Sequence, residues 1–288
     1  RQNGQAIPAS EKLISRLFAD AGYTCGLAGK LHLASCANGV VEKRIDDGYE
    51  IFHWSHHPQP DWPENAYIQW LDKQGTSWEE LYSGPATPYV KHGIPAEYNQ
   101  STWCANMAID FIRKQKGKPW FFSYNSFAPH HPFDPPADYL ARYNPEEMPL
   151  PKSRPGELEN KTTYQQLDSK FSHNDPDGYN IAAMTDADKR AGTVAYYAMI
   201  ELIDDGVGRM VSALEDTGQL DNTIVIFMSD HGEMLGDHGI YLKGPHFYDE
   251  AVRVPLIFSW PSQFKAGLQV DCLMELVDIA PTLLEAAG

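Results

Sequence analysis

A run of apolar residues that ends in a cluster of polar side chains is the feature that most constrains this chain. Residues Asn222–Pro261 open with a β-branched and aromatic run, Thr223 to Met228, which predicts a strand buried on both faces. The run ends in Ser-Asp-His-Gly-Glu, with Asp230 and His231 side by side. In open α/β sheets, ligands bind outside the carboxyl ends of the strands. The sequence therefore predicts a ligand site at this strand end.

The residue types at this strand end indicate the chemistry of the site. Asp230 and His231 offer one oxygen and one nitrogen to a divalent cation, and Gly232 lets the backbone turn away without a Cβ atom. The loop that follows carries Lys243 and leads into a second apolar run, Val254–Trp260. Metal ligands followed by a cation predict a site for a tetrahedral oxyanion ester. The alternative interpretation is a solvated acidic turn, with the lysine on an ordinary surface loop.

Two other segments place polar residues directly after an apolar strand pattern. Tyr23–Ala28 predicts a strand that delivers Gly-Lys-Leu-His, in which Lys30 and His32 are the chemically useful side chains. Pro119–Phe127 predicts a buried strand followed by Ala-Pro-His-His-Pro, which contains His130. A surface lysine, a half-buried histidine and a polar turn would explain the same residues without a function.

Composition narrows the class of protein. The chain has 288 residues, 42% of them hydrophobic, which suits one large globular domain. A formal net charge of −16 argues against nucleic acid as a general partner. No apolar run approaches the ~20 residues of a transmembrane helix, so no membrane span is predicted. The cysteines show neither CxxC pairing nor zinc-type spacing; they are Cys25, Cys36, Cys104 and Cys272.

The intervening segments predict a scaffold with loops. Asn38–Gln100 is rich in aromatic residues and histidines, and its tryptophans could stack on sugar rings or be buried. Asp134–Lys189 is Pro-rich and acidic, which predicts an irregular insertion at the rim of the site. A long helix is predicted from Asp188, in which Gly206 and Gly208 indicate close packing or a local break.

The motifs together resemble the sulfatase family, within the alkaline phosphatase-like superfamily. SDHGEMLGDHG, then LKG, then VRVPLIF is similar to the C-terminal half of the family pattern. AGYTCGLAGKLHLA resembles the family's GK-x-H-L segment, and SFAPHHPF resembles its PH-x-P segment. The resemblance implies an α/β fold with a mixed, mostly parallel sheet flanked by helices. It also implies that residues 1–288 are one sulfatase α/β domain.

The resemblance implies roles for the residues already singled out. Lys30 and Lys243 would bind the sulfate group, and His130 would protonate the leaving oxygen. His32 would be a supporting donor beside them. The implied substrate is a sulfated carbohydrate or another sulfated small molecule, and the implied class is sulfuric ester hydrolase.

The same resemblance implies a metal held by Asp230 and His231, with calcium expected and manganese or zinc as alternatives. Family members act from the periplasm, the lysosome or outside the cell, and the sequence leaves the compartment open.

The family's nucleophile is the residue that the chain lacks. Sulfatases use a formylglycine made from Cys or Ser in C/S-x-P/A-S-R, and two aspartates before it complete the metal site. None of the four cysteines has this signature around it. We therefore expect that the chain begins downstream of its nucleophile, stops before the family's C-terminal subdomain, and is inactive as given. The alternatives are a phosphonate or phosphate monoester hydrolase, and a nucleophile-free carbohydrate-binding pseudoenzyme.

Overall fold

A parallel sheet with helices packed against it confirms the predicted α/β class. The computed structural model describes residues 5–34, 36, 41–60, 62–171, 179–181 and 183–288. The strands are β1 (Thr24–Gly29), β2 (Ile51–Trp54), β3 (Gly84–Pro85), β4 (Lys91–His92), β5 (Trp120–Asn125), β6 (Val225–Met228) and β7 (Leu256–Ser259). The helices are α1 (Ile14–Asp20), α2 (Ala66–Lys73), α3 (Trp78–Leu81), α4 (Gln100–Lys114), α5 (Ala137–Leu140), α6 (Thr163–Phe171), α7 (Asp186–Asp216), α8 (Asp249–Val252) and α9 (Ile279–Ala287).

The central sheet has the strand order β2-β1-β5, and both pairings are parallel. Gly26 of β1 lies opposite Ile51 of β2 on one side and opposite Phe122 of β5 on the other. Because parallel strands end at the same edge of a sheet, the residues that follow β1, β2 and β5 gather at one place. This edge carries the Gly-Lys-Leu-His and Ala-Pro-His-His-Pro segments.

The strand pair β6 and β7 is antiparallel, and it corrects one prediction. The run from Thr223 to Met228 was expected to be buried on both faces, but Phe227 is 36% exposed and Met228 is 46% exposed. Only the start of β6 packs well, because Val225 lies against the cluster of Ile109, Ile112, Ala213 and Leu214. Among the described residues, no comparable cluster packs against its end. The predicted burial of this strand is wrong, although its position is right.

The strand predicted at Pro119–Phe127 is also less buried than expected. Strand β5 spans Trp120–Asn125, and all its residues are partly exposed. Its register with β1 nevertheless holds from Thr24 opposite Trp120 to Gly29 opposite Asn125. The full-length pairing fixes where the strand ends, which is what the site requires.

Helices α4 and α7 pack against each other behind the sheet. The long helix predicted from Asp188 is confirmed, and it begins at Asp186 with a capping box formed by Thr185 and Asp188. Close packing at Gly206 is confirmed as well. A Cβ atom there would lie 3.2 Å from the Cβ of Ala105, whereas one at Gly208 would meet nothing within 4 Å.

The insertion between Asp134 and Lys189 contains α5 and α6, and part of it lies outside the described residues. It contacts the loop after β6, since the backbone N–H of His238 donates to the carbonyl of Lys152 at 2.8 Å. The N–H of Lys152 in turn donates to Asp237 Oδ1 at 2.6 Å. Across the described ranges, none of the helices combines the length and apolarity needed to cross a membrane.

Candidate active site

The ends of β1 and β5 are joined closely, and this junction fixes Lys30. The Lys30 N–H donates to the Asn125 carbonyl at 2.8 Å, and the Asn125 side-chain amide donates back to the Lys30 carbonyl at 2.8 Å. Gly29 has φ 105°, and a Cβ atom there would lie 1.9 Å from the Asn125 carbonyl oxygen. Only glycine permits this approach, so the lysine leaves the sheet in one direction.

Lys243 and His130 meet at this edge although they come from distant segments. The Lys243 ammonium nitrogen lies 2.7 Å from His130 Nε2, and His130 Nδ1 lies 2.8 Å from the His131 carbonyl oxygen. The Nδ1–H therefore donates to that carbonyl, and Nε2 accepts from the lysine. Burial, with help from the charges of His131 and Lys243, lowers the pKa of His130 to about 2. The imidazole is neutral in this arrangement.

Phe127 connects the two lysine segments. The Lys30 ammonium nitrogen lies 5.3 Å from the centroid of the Phe127 ring, and that ring lies 4.6 Å from the His130 ring. Lys30, Phe127, His130 and Lys243 therefore form one continuous group. The structure brings together the two lysines and the histidine that the sequence predicted for one oxyanion.

Burial and neighbouring charges shift the pKa values of the two lysines. Burial lowers the pKa of Lys30, and the nearby carboxylate of Asp230 partly opposes that shift. Burial also lowers the pKa of Lys243; the charge of Lys30 lowers it further, while Glu233 and Asp230 oppose the change. Two ammonium groups that repel each other in a half-buried pocket favour the binding of an anion between or beside them.

His32 lies in the same group, with a second histidine behind it. Its pKa is lowered by burial and then by the charge of Lys30. The His32 ring meets the His56 ring edge to face, with centroids 4.7 Å apart. His56 is buried, and burial lowers its pKa to about 3. Both imidazoles are neutral donors or acceptors near the lysines rather than additional cations.

Asp230 and His231 fit a divalent cation as two of its ligands. The Nδ1–H of His231 donates to the Gly232 carbonyl at 2.8 Å, which leaves the Nε2 lone pair free to coordinate. His231 Nε2 lies 3.8 Å from Asp230 Oδ2, and the Asp230 side chain is 78% exposed. Two ligand atoms on one cation are separated by a similar distance. Among the described residues, no group of three or more potential ligands is present, so this pair alone would supply only part of a metal's ligand shell.

The backbone turn after His231 depends on glycine, as the sequence predicted. A Cβ atom on Gly232 would lie 1.8 Å from the Glu250 carbonyl oxygen. The Gly232 N–H donates to the Ala251 carbonyl at 2.8 Å, which fastens the turn to α8. At this turn, the carboxylate of Asp230 lies near enough to Lys30 and Lys243 for their charges to interact.

Sequence reasoning missed several residues that shape the site. Glu233 accepts hydrogen bonds from the N–H groups of Leu235 at 3.2 Å and Leu242 at 2.6 Å, so it closes the loop immediately before Lys243. Glu42 accepts from the N–H groups of Leu33 at 2.6 Å and Ala34 at 3.0 Å, which holds the segment after Lys30. Glu233 stands within the Asp-His-Gly-Glu motif and could have been noticed there. Glu42 carries no local signal.

In the aromatic segment Asn38–Gln100, two tryptophans that could have stacked on sugar rings are buried. Trp54 and Trp62 are buried, so the described arrangement presents neither indole to a sugar ring. Their role is packing around His56, whose ring lies 5.6 Å from that of Trp62. Asp61 and residues 38–40 of this segment lie outside the described residues.

The cysteines do not resemble activated nucleophiles. Cys25 and Cys104 are buried, and burial raises the pKa of Cys25 to about 11. Cys36 lies close enough to Lys30 for their charges to interact, yet burial raises the pKa of its thiol. Cys272 is exposed. A thiol with a raised pKa is a poor nucleophile at neutral pH.

Comparison with known proteins identifies the family. A sequence model described as Sulfatase matches residues 1–288. The chain is 32% identical over 292 residues to an arylsulfatase of Clostridium perfringens, which covers 96% of this chain and 58% of that protein. It is 24% identical over 341 residues to an N-acetylglucosamine-6-O-sulfatase of Bacteroides thetaiotaomicron, covering 99% of this chain and 55% of the relative. The chain belongs to the sulfatase family.

A solved structure supports the same fold. A phosphonate monoester hydrolase from Silicibacter pomeroyi superimposes with a TM-score of 0.81 at 22% identity, covering 99% of this chain and 59% of that one. This similarity confirms the predicted alkaline phosphatase-like architecture. In each comparison the chain spans little more than half of the relative's length.

Proposed function

We propose that the protein is a sulfuric ester hydrolase that cleaves a sulfate ester, with a sulfated carbohydrate as the substrate class. The observation that carries the proposal is the contact between Lys243 and His130 next to Lys30, with Asp230 and His231 close by. Two ammonium groups, a neutral imidazole and two metal-ligand side chains together suit a tetrahedral oxyanion ester. The names of the sulfatase relatives support the choice of sulfate, and the N-acetylglucosamine-6-O-sulfatase supports a sugar ester.

Each side chain of the group has a distinct task in this proposal. Lys30 and Lys243 neutralise charge on the sulfate oxygens, which shifts in the transition state. His130 passes a proton to the leaving oxygen: its Nε2 takes the proton from the Lys243 ammonium that donates to it and gives that proton to the leaving oxygen. His32 donates a supporting hydrogen bond beside them. A divalent cation on Asp230 and His231, for which we propose calcium, would polarise the sulfate oxygens.

We also propose that the nucleophile lies outside these 288 residues. No Cys or Ser in the chain stands in a C/S-x-P/A-S-R sequence. Cys36, whose charge would interact with that of Lys30, has a raised pKa. Positioning without a nucleophile leaves the hardest step of hydrolysis untouched. The 288-residue chain should therefore bind an oxyanion without turning over an ester.

The test compares esters in the full-length product of the gene that encodes this chain. Steady-state kinetics are measured with p-nitrophenyl sulfate and with p-nitrophenyl phenylphosphonate, each with added calcium and with added manganese. We expect a higher kcat/KM for the sulfate ester. A clear preference for the phosphonate would favour the phosphonate monoester hydrolase, and binding of sulfated sugars without any hydrolysis would favour a pseudoenzyme.

A second assay tests the position of the nucleophile. The 288-residue chain is purified alone, and p-nitrophenyl sulfate hydrolysis is followed beside the full-length product. No turnover above background is expected from the chain. Turnover that survives repurification and disappears in Lys30→Ala would place the nucleophile within these residues.

A further inference from the structure

A buried histidine–carboxylate pair lies directly behind Lys243. His246 Nε2 is 2.8 Å from Asp168 Oδ2, and the two side chains are 2% and 12% exposed. The Nε2–H of the histidine donates to the carboxylate. A charge-assisted hydrogen bond in such a protected place is stronger than one at the surface. None of the roles assigned above uses either residue.

The pair fills the space beside the backbone of Gly244, the residue immediately after Lys243. Gly244 has φ 52°, and a Cβ atom there would lie 2.5 Å from His246 Nε2 and 2.6 Å from Asp168 Oδ2. On the other side of the lysine, the N–H of Leu242 donates to Glu233 at 2.6 Å. The lysine backbone is therefore fixed from both directions, and the pair forms one of the two supports.

Asp168 comes from the insertion and not from the loop that it supports. It lies on α6 together with Gln165, and residues three apart on a helix share a face. The Gln165 side-chain amide donates to the Tyr248 hydroxyl at 2.7 Å. Helix α6 thus holds the loop at two points, His246 and Tyr248, both just beyond the lysine.

We propose that Asp168 and His246 are positioning residues, which hold the Lys243 ammonium against His130 so that it is in place before an anion arrives. The proposal rests on the proposed function for its catalytic meaning, but the placement of the lysine is a separate structural statement. A long lysine side chain gains rotamer freedom and hydration if it swings into solvent. Repulsion from Lys30 favours the same displacement. A rigid backbone at residues 242–244 counters this tendency.

The first readout does not depend on turnover. The 288-residue chain is labelled with ¹⁵N-histidine, and the His130 Nε2 resonance is assigned by its loss in His130→Asn. In the wild-type chain this nitrogen should show the shift of a hydrogen-bonded acceptor. Asp168→Leu should move it towards the shift of an unbonded neutral imidazole, and so should His246→Phe, which keeps a ring of similar volume.

A matched control tests whether the effect is specific to the Asp168–His246 pair or follows from any contact between the insertion and this loop. His238 Nδ1 lies 2.7 Å from Glu157 Oε1, so the same insertion makes a second histidine–carboxylate contact with the same loop. Glu157→Gln should leave the His130 resonance unchanged. An unchanged resonance in folded Asp168→Leu or His246→Phe would overturn the proposal, and so would an equal change in all three variants.

The second readout is a double-mutant cycle in the full-length gene product, with p-nitrophenyl sulfate as substrate. Asp168→Leu should lower kcat by about 10- to 100-fold with a smaller change in KM, because a displaced catalytic group costs rate. In a Lys243→Ala background the same substitution should cause little further loss. An equal loss in both backgrounds would show that Asp168 acts elsewhere.

If the wild type hydrolyses no sulfate ester, the proposed function fails, while the histidine resonance still decides the placement of Lys243.

Discussion

The ammonium nitrogen of Lys243 lies 2.7 Å from Nε2 of His130, although 113 residues separate them in the chain. The contact joins the loop after β6 to the segment after β5, and Phe127 extends it to Lys30 after β1. Residues from three strand ends therefore share one small space. The charges of Lys30 and Lys243 act on each other across this space, so both ammonium groups would attract an anion placed there, which is why the arrangement suits an oxyanion ester.

The first prediction concerns the proton that His130 gives to the leaving group. In the full-length gene product, His130→Ala should lower kcat by about 10²-fold for an alkyl sulfate, whose leaving oxygen needs a proton. The loss should be much smaller for p-nitrophenyl sulfate, whose leaving group departs as a stable anion. His92→Ala, on the short strand β4, is the control. Equal losses with both esters would contradict the role of His130 as a general acid.

The second prediction concerns the metal. Asp230→Ala should abolish binding of a divalent cation by the full-length gene product, because the substitution removes the exposed carboxylate next to His231 Nε2. Elemental analysis of the purified protein measures the metal content directly. Asp249→Ala removes another exposed carboxylate, one that pairs with Arg253 on α8, and should leave the content unchanged. Equal metal content in wild type and Asp230→Ala would remove Asp230 from the ligand set.

The third prediction concerns the pH dependence of stability. Burial raises the pKa of Asp134 to about 7, against 3.8 for the ordinary group, and the Tyr82 hydroxyl donates to its carboxylate at 3.2 Å. The folded state therefore holds this proton more tightly than the unfolded state, and its contribution to stability is lost as pH rises from about 4 to about 7.

Asp134→Asn removes that titration and keeps an oxygen that accepts from Tyr82. The variant should be more stable than wild type by a few kcal/mol, ~4 at most, at pH 8, with little difference at pH 4. Urea unfolding at the two pH values measures the difference. A gain that is the same at both values would show that the carboxylate does not titrate in this range.

The fourth prediction uses two glycines of α7 with different surroundings. Gly208→Ala should raise the free energy of unfolding by about 0.5–1 kcal/mol, because nothing lies within 4 Å of the new Cβ atom. Gly206→Ala should be less stable than Gly208→Ala by at least ~1 kcal/mol, since its Cβ atom would press on Ala105. Urea unfolding of both variants provides the test. Equal stabilities would mean that α4 and α7 adjust without cost.

The sequence allowed much of the fold and of the site to be predicted, for a definite physical reason. Apolar runs that end in polar residues mark strand ends, and parallel strands bring their ends to one edge. Strand-end patterns singled out Lys30 and His130, and the resemblance to the sulfatase family implied that they share one site. Glycine is required at positions 29 and 232, because a Cβ atom there would lie 1.9 and 1.8 Å from a carbonyl oxygen.

Other features could not be read from the chain because they depend on distant partners. The exposure of Phe227 and Met228 follows from what packs against β6, whereas apolarity alone predicts burial. Asp168 meets His246 across 78 residues, and nothing near either residue indicates the other. The role of Phe127 as the link between Lys30 and His130 likewise requires three-dimensional coordinates.

The most direct test of the central claim is the effect of the two lysines on sulfate ester hydrolysis. In the full-length gene product, kcat for p-nitrophenyl sulfate is measured for wild type, Lys30→Ala, Lys243→Ala and the exposed control Lys12→Ala, which pairs only with Asp20 in the described structure. A single oxyanion site predicts a loss of about 10²-fold or more for each of the first two variants and none for the control. Near wild-type kcat in either Lys30→Ala or Lys243→Ala would contradict the account.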